Sequence, residues 1–124
     1  MYQYWYDLGM MTPTLSVRFF ATAQGKEPVR DWLKALPAQD RRRIGEDIKT
    51  VQYGWPLGMP LVRKLVKDLW EVRIHLTDRI ARILFTQQDQ TMVLLHGFIK
   101  KSQATPKEEL AVAQQRLQQL RSTL

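Results

Sequence analysis

Basic side chains gather in the second half of the chain, in four consecutive apolar segments of strand length. They are Arg63, Lys64 and Lys67 in the first segment and its turn, Arg73 and His75 in the second, Arg79 and Arg82 in the third, and Lys100 and Lys101 closing the fourth. Neighbouring strands of an antiparallel sheet lie about 5 Å apart, so several of these cations would share one concave face. Because like charges that close repel one another, the pattern predicts that an anion binds there, and a nucleic-acid backbone fits.

Cleavage of RNA is the chemistry that these residue types can perform. Attack of a 2′-hydroxyl on the adjacent phosphate needs a base, cations that stabilise the crowded phosphorane, and an acid that protonates the leaving 5′-oxygen. Histidine usually supplies the acid and the base, and the chain has 2 histidines. His75 lies on the charged side of its segment and is a candidate. His96 lies in an apolar segment and fits a structural role better.

With so few histidines, lysine and arginine would carry much of the chemistry. A lysine crowded by other cations can act as a base, and arginine stabilises developing charge. Phe98 would either stack on an RNA base or pack in the core. No glycine-rich phosphate loop, zinc-binding motif or spaced carboxylate pair occurs, so the sequence predicts no metal and no cofactor.

Composition bounds the class of protein. The 124 residues carry a formal net charge of +7 and no cysteine. This charge favours a nucleic acid or an acidic protein as partner, or else reflects only a soluble basic surface. Without thiols the fold has no disulfides and no thiolate metal site. The chain shows neither a membrane-spanning run nor a signal peptide, so a cytoplasmic location is expected.

Periodicity and turn signals predict an α+β domain: an antiparallel sheet packed with two N-terminal helices and a C-terminal helix. The predicted strands are Leu15–Ala21, Leu61–Val66, Leu69–Leu76, Ile80–Thr86 and Met92–Ile99. The predicted helices begin at Pro28, at about Pro37 and after Thr105. Residues 14–124 would form the single domain. Residues 1–13, rich in tyrosine and tryptophan, would be a flexible or translated upstream extension, or an aromatic arm that binds a partner.

Two helices carry features that bear on function. Arg41, Arg42 and Arg43 fall in the first turns of the second helix, where cations oppose the helix dipole; this indicates a use for the charge, or a solvated helix face. In the last helix, Thr105 is expected to cap the N-terminus, with Pro106 at the first helical position. The stripe of this helix is expected to pack on the sheet, or to bind a partner. Its residues are Leu110, Ala113, Leu117, Leu120 and Leu124.

Several stretches together resemble the phage-derived branch of the RelE/HigB toxin family, which belongs to the RelE/ParE superfamily of type II toxin–antitoxin systems. They are Pro28–Leu36, Arg63–Leu65 with Leu69–Arg73, Arg79–Phe85, and His96–Gln103 with Thr105 and Pro106. The similarity extends from about Leu15 to Leu120. Each part alone is weak, and the combination is fairly specific.

The resemblance implies a RelE-like fold and a ribosome-dependent, metal-independent mRNA endoribonuclease that inhibits translation. It also implies a cognate helix-turn-helix antitoxin of the HigA type, through which alone the toxin would reach operator DNA. The other expected partners are the ribosome and mRNA, with no membrane. Two alternatives stay open: a ParE-like poison of DNA gyrase with the same fold, and a non-catalytic nucleic-acid-binding regulatory module.

Family positions carried onto this chain, together with the basic and aromatic positions of the predicted sheet, give a predicted site. Arg82 is the strongest match, and Arg63 and Lys64 match more loosely. The residues assigned to catalysis are Arg73, His75, Arg82 and Lys100; those assigned to RNA binding are Arg63, Lys64, Lys67, Arg79, Phe98 and Lys101. RelE-type enzymes often place a tyrosine near the C-terminus, whereas this chain has no tyrosine after Tyr53. His75 or Phe98 would have to replace it.

Overall fold

A computed structural model describes residues 12–100 and 104–123, which form five strands and three helices. The strands are β1 (Ser16–Phe19), β2 (Val62–Val66), β3 (Leu69–His75), β4 (Ile80–Gln88) and β5 (Thr91–Lys100). The helices are α1 (Pro28–Lys34), α2 (Ala38–Gly54) and α3 (Lys107–Ser122). The expected α+β class is confirmed, and the observed elements match the predicted ones to within a few residues.

All five strands form one sheet in the order β1-β5-β4-β3-β2. Strands β2 to β5 are an antiparallel meander, as turn residues such as Asp78 and Asp89 predicted. The expectation of a wholly antiparallel sheet is wrong for β1, which pairs with β5 in parallel. The helical crossover through α1 and α2 takes the chain from β1 to the opposite edge of the sheet. The chain then returns strand by strand, and β5 ends beside β1 in the same direction.

Each side of the sheet has its own hydrophobic core. On one side α2 contributes Ile44, Ile48 and Val51, which pack with sheet residues that include Val72 and Ile74. On the other side the stripe of α3 packs on the sheet, as expected. Its buried residues are Ala113, Leu117 and Leu120, and they meet sheet residues that include Leu69, Leu84, Val93 and Leu95. The alternating pattern of β3 therefore does not separate core from solvent: both sides are partly covered, and the α3 side also carries the charged residues.

Gly97 brings α1 against the sheet. A Cβ atom built on this glycine would lie 2.6 Å from Cε3 of Trp32, closer than non-bonded carbon atoms come. The indole therefore packs directly on the backbone of β5, where no other residue type leaves room. Two of the stretches that carry the family resemblance, Pro28–Leu36 and His96–Gln103, meet at this contact.

Ion pairs and polar caps join the helices to their neighbours. Arg41 donates to the backbone carbonyls of Leu36 and Lys34, so it caps the C-terminal end of α1. Arg121 at the end of α3 bonds Asp68 in the β2–β3 turn at 2.7 Å. This hydrogen bond lowers the pKa of Asp68, although the group is exposed.

No helix of the described residues is long and apolar enough to cross a membrane.

Candidate nucleic-acid interface

Three rows of residues cross the α3 side of the sheet in register. The first is Arg63, Glu71, Leu84 and His96; the second is Arg73, Arg82 and Phe98; the third is His75, Ile80 and Lys100. Successive members of a row come from neighbouring strands, about 4.8 Å apart. We call Arg63, Arg73, His75, Arg82 and Lys100 the basic face. The structure therefore brings together, on one side of the sheet, six of the ten residues that the sequence assigned to the site: the basic face and Phe98.

A buried carboxylate holds part of this face together. Glu71 is 0% exposed and lies 3.4 Å from Arg63 and 3.5 Å from Arg82. Its Oε2 atom also accepts a hydrogen bond of 2.6 Å from the hydroxyl of Thr105. That same hydroxyl accepts a hydrogen bond of 2.9 Å from Arg63. In this cluster one carboxylate offsets part of the charge of two guanidinium groups, and Thr105 joins the sheet to the segment that leads into α3.

Arg82, which the sequence singled out most strongly, is fully buried within this cluster. Burial lowers the pKa of its guanidinium, the Glu71 carboxylate raises it, and Arg73 and Arg63 lower it further. A guanidinium that is 0% exposed cannot touch RNA unless the structure around it opens. Its catalytic role stays a prediction, and the geometry gives it a scaffolding role beside Glu71.

The exposed part of the basic face is the third row with Arg73 next to it. His75 and Lys100 are exposed, and Arg73 is half-buried. Within residues 12–100 and 104–123, the side chains of His75 and Lys100 have no hydrogen-bond or ion-pair partner. An imidazole, an ammonium and a guanidinium therefore stand together at the end of the sheet where β3 turns into β4.

The remaining predicted contact residues lie away from this group. Lys64 is opposite Trp70 on the other side of the sheet, with its ammonium 5.7 Å from the centre of that indole ring. Lys67 is in the β2–β3 turn, roughly 20 Å along β3 from His75. Arg79 is engaged by Asp40 of α2 and so ties the β3–β4 turn to that helix. Lys101 lies outside the described residues.

Phe98 and His96 belong to the interior. Phe98 is 6% exposed, packs in the core beneath α3, and lies 5.4 Å from the His96 ring in a stacked arrangement. His96 bonds Glu109 of α3 at 2.7 Å, and Arg116 approaches its Nδ1 atom to 3.3 Å. The structural role expected of His96 is confirmed. For Phe98 the geometry favours the core-packing alternative.

Thr105 corrects one detail of the sequence analysis. Its hydroxyl does not cap α3: the N-cap residue is Pro106, and no side-chain cap hydrogen bond forms. The hydroxyl instead donates to Glu71 and accepts from Arg63, because hydrogen bonds to charged groups are stronger than those to neutral backbone N–H groups. Glu71 was not among the predicted site residues. The available signal was a lone acidic residue on the same side of its strand as Arg73 and His75.

Two clefts flank the exposed group at the β3–β4 turn. One, of about 390 Å³, lies between α2 and the end of β3 and is lined in part by Arg42 and Arg43. The other, of about 380 Å³, is lined in part by Arg79 and Ile80. His75 lines both clefts. Within the part of the chain that the structure describes, no group of three or more histidine, aspartate or glutamate residues could hold a metal ion.

Comparison with known proteins gives a family match over most of the chain. The family model described as phage derived protein Gp49-like (DUF891) matches residues 31–118. Among solved structures, the chain is similar to the archaeal RelE–RelB complex from Pyrococcus horikoshii OT3, at 25% identity and a TM-score of 0.44. The alignment covers 73% of this chain and 99% of that one. No curated protein matches the chain.

Proposed function

The chain belongs to the phage-derived Gp49-like family, a family of RelE/HigB-type toxins, and we propose that it is the toxin of a type II toxin–antitoxin system that cuts mRNA on the ribosome. One observation supports this most: His75 and Lys100 are exposed in one row of the sheet, with Arg73 in the next row. Two exposed groups and one half-buried guanidinium thus lie within a few strand spacings of one another.

These groups match the needs of phosphodiester cleavage by a neighbouring 2′-hydroxyl. We assign the base to His75, which takes the proton as the 2′-oxygen forms its bond to phosphorus. The guanidinium of Arg73 stabilises the charge that grows on the phosphorane oxygens. The ammonium of Lys100 gives a proton to the 5′-oxygen as its bond to phosphorus breaks. The products are a 2′,3′-cyclic phosphate and a free 5′-hydroxyl, and no metal takes part.

Glu71 and the two arginines that it binds serve as the support for this surface. Buried ion pairs of this kind fix the positions of strands and side chains, here of β2, β3 and β4. Arg63, whose side chain is 32% exposed, is the member of the cluster best placed to contact RNA as well. The proposed contact surface is therefore Arg73, His75 and Lys100 with Arg63 at its border.

As partners we propose the ribosome with its mRNA, and a helix-turn-helix antitoxin that neutralises the toxin in the cytoplasm. Contact with operator DNA would be indirect, through the antitoxin. The support for the antitoxin is membership of a toxin family, together with the net charge of +7, which suits an acidic partner.

Inducible expression tests the function with a paired variant. The native protein should arrest growth and produce new mRNA 5′ ends in phase with codons, whereas Arg73→Ala with Lys100→Ala should abolish both. The variant loses two cations, one of which is also the acid, and each such role is commonly worth a factor of about 10² or more in rate. Lys26→Ala with Lys34→Ala removes the same charge from exposed positions outside the basic face and should arrest growth like the native protein.

Other outcomes would identify a different activity. Growth arrest with broken or relaxed DNA and unchanged mRNA ends would indicate a gyrase poison of the same fold. Binding of nucleic acid without either effect would indicate a regulatory module. Full toxicity of a folded Arg73→Ala, Lys100→Ala protein would remove the site assignment.

A further inference from the structure

We propose that the cleft between α2 and the end of β3 binds the phosphodiester backbone of RNA, as a second subsite next to the cleavage surface. The proposal rests on the proposed function only in taking RNA as the ligand. The cleft residues are Gln39, Asp40, Arg42, Arg43 and Glu46 from α2, and His75, Leu76 and Thr77 from the end of β3. All of these lining residues except Leu76 are polar or charged, and the cleft, at about 390 Å³, has room for a phosphate with part of its sugar.

Of the three successive arginines of α2, one makes structural hydrogen bonds and two are exposed enough to bind a ligand. Arg41 donates to the carbonyls at the end of α1 and is thereby engaged. Arg42 is exposed and has no hydrogen bond or ion pair to any described residue. The side chain of Arg43 is 52% exposed, and its contact with Asp47 is a loose one of 3.8 Å. Two guanidinium groups therefore lie near the N-terminal, positive end of the helix dipole, where an anion bound between them would be stabilised by both the cations and the dipole.

The acidic groups of the cleft do not cancel this charge. Asp40 is bound by Arg79 from the β3–β4 turn, so that carboxylate is already compensated. Glu46 is the only other carboxylate in the lining, and it makes no ion pair with a described residue. Glu46 is thus the lining carboxylate that is left uncompensated near Arg42 and Arg43. Removing its charge should strengthen the binding of an anion, whereas removing the two arginines should weaken it.

The cleft adjoins the cleavage surface at the end of β3, although α2 packs on the other side of the sheet. His75, Leu76 and Thr77 line it together with the second cleft, which also includes Ile80. Ile80 in turn pairs with Lys100 on β5. Lys100 and His75 are two strand spacings apart, about 10 Å. A single RNA strand that lies on Lys100 and His75 and passes around this end of the sheet would reach Arg42 and Arg43.

Binding to RNA at increasing salt concentration measures this subsite directly. The probe is a short fluorescent single-stranded RNA with 2′-O-methyl groups, which cannot be cleaved. Each phosphate contact to a single strand contributes about −0.7 to the slope of log affinity against log salt concentration. Arg42→Gln with Arg43→Gln should therefore make the slope shallower by about 1.4. Glu46→Gln should tighten binding, and the control Lys26→Gln with Lys34→Gln should leave the slope unchanged.

A parallel series with mRNA-programmed ribosomes distinguishes the source of the backbone. A shallower slope with free RNA assigns the cleft to the message, and one seen with ribosomes alone assigns it to ribosomal RNA. Unchanged slopes in both series overturn the proposal, and so does a loss of antitoxin binding with unchanged RNA slopes, which would mark a protein-binding cleft. In one further outcome, the native protein cuts no mRNA while the salt-dependence slope is still shallower for Arg42→Gln with Arg43→Gln. That result would support the subsite and contradict the proposed function.

Discussion

A single carboxylate, Glu71, organises the charged side of the sheet. It is buried between Arg63 and Arg82 and accepts a hydrogen bond from Thr105. Buried arginine is costly to desolvate, and the pKa of Arg82 is lowered for that reason. The nearby carboxylate offsets this cost, so the residue that resembles a catalytic arginine in the sequence is held as a charged support.

Glu71→Gln tests this support. The variant leaves two arginine charges uncompensated, one of them fully buried, so the free energy of unfolding should fall by about 3–5 kcal/mol. Urea denaturation at neutral pH measures the change as a lower midpoint. Glu71→Leu combined with Arg82→Met removes both buried charges and should recover much of the loss. An unchanged midpoint for Glu71→Gln would show that the cluster does not hold the strands.

Residue types alone could not separate supporting cations from contacting ones. The alternation of β3 correctly placed Glu71, Arg73 and His75 on one side. Which of them is buried depends on where α3 lies and on which arginine stands opposite Glu71, and both depend on strand register. Register joins residues far apart in the chain, so a pattern within one segment cannot supply it.

At the scale of elements, the contact between α1 and β5 fixes how the first helix lies on the sheet. The Trp32 indole occupies the space that a side chain at position 97 would need. Interior positions this tight respond to one added methyl group, because the surrounding groups have no free volume into which they can move.

Gly97→Ala should lower the free energy of unfolding by about 1–3 kcal/mol through overpacking against Trp32. The matched control is Gly45→Ala in the middle of α2, where an added Cβ meets nothing within 4 Å. That change should raise the free energy of unfolding by roughly 0.5–1 kcal/mol, because alanine favours the helix. Thermal unfolding of both variants measures the two effects. Equal shifts of the two melting temperatures in the same direction would contradict the packing proposed for Trp32.

Most elements could be predicted because their signals are local. The apolar spacing of α2 and α3, Pro28 at the start of α1 and the alternation in β3 depend on neighbours within a few residues. The parallel pairing of β1 and the role of Thr105 could not be predicted in this way. Both are decided by partners far along the chain: β5 for the first and Glu71 for the second.

At the scale of the whole molecule, the net charge of +7 produces only a general attraction to polyanions. The fold determines which surface carries the exposed cations. Ion pairs engage Arg79 and Arg82, and hydrogen bonds to backbone carbonyls engage Arg41. The exposed cations that remain near the β3–β4 turn include Lys100 and Arg42, with His75 between them. The proposed path of RNA follows this sequence of groups from β5 across β3 to α2.

Mapping of mRNA 5′ ends in a purified translation system tests this surface and its proposed activity together. With the native protein, we expect cuts only when ribosomes are present, in phase with the codons, and with 2′,3′-cyclic phosphate at the upstream ends. The Arg73→Ala, Lys100→Ala protein should give none, and the Lys26→Ala, Lys34→Ala protein should cut like the native one. Cutting at the native rate by a folded Arg73→Ala, Lys100→Ala protein would contradict the proposed site. No cutting by the native protein on translating ribosomes would contradict the proposed activity.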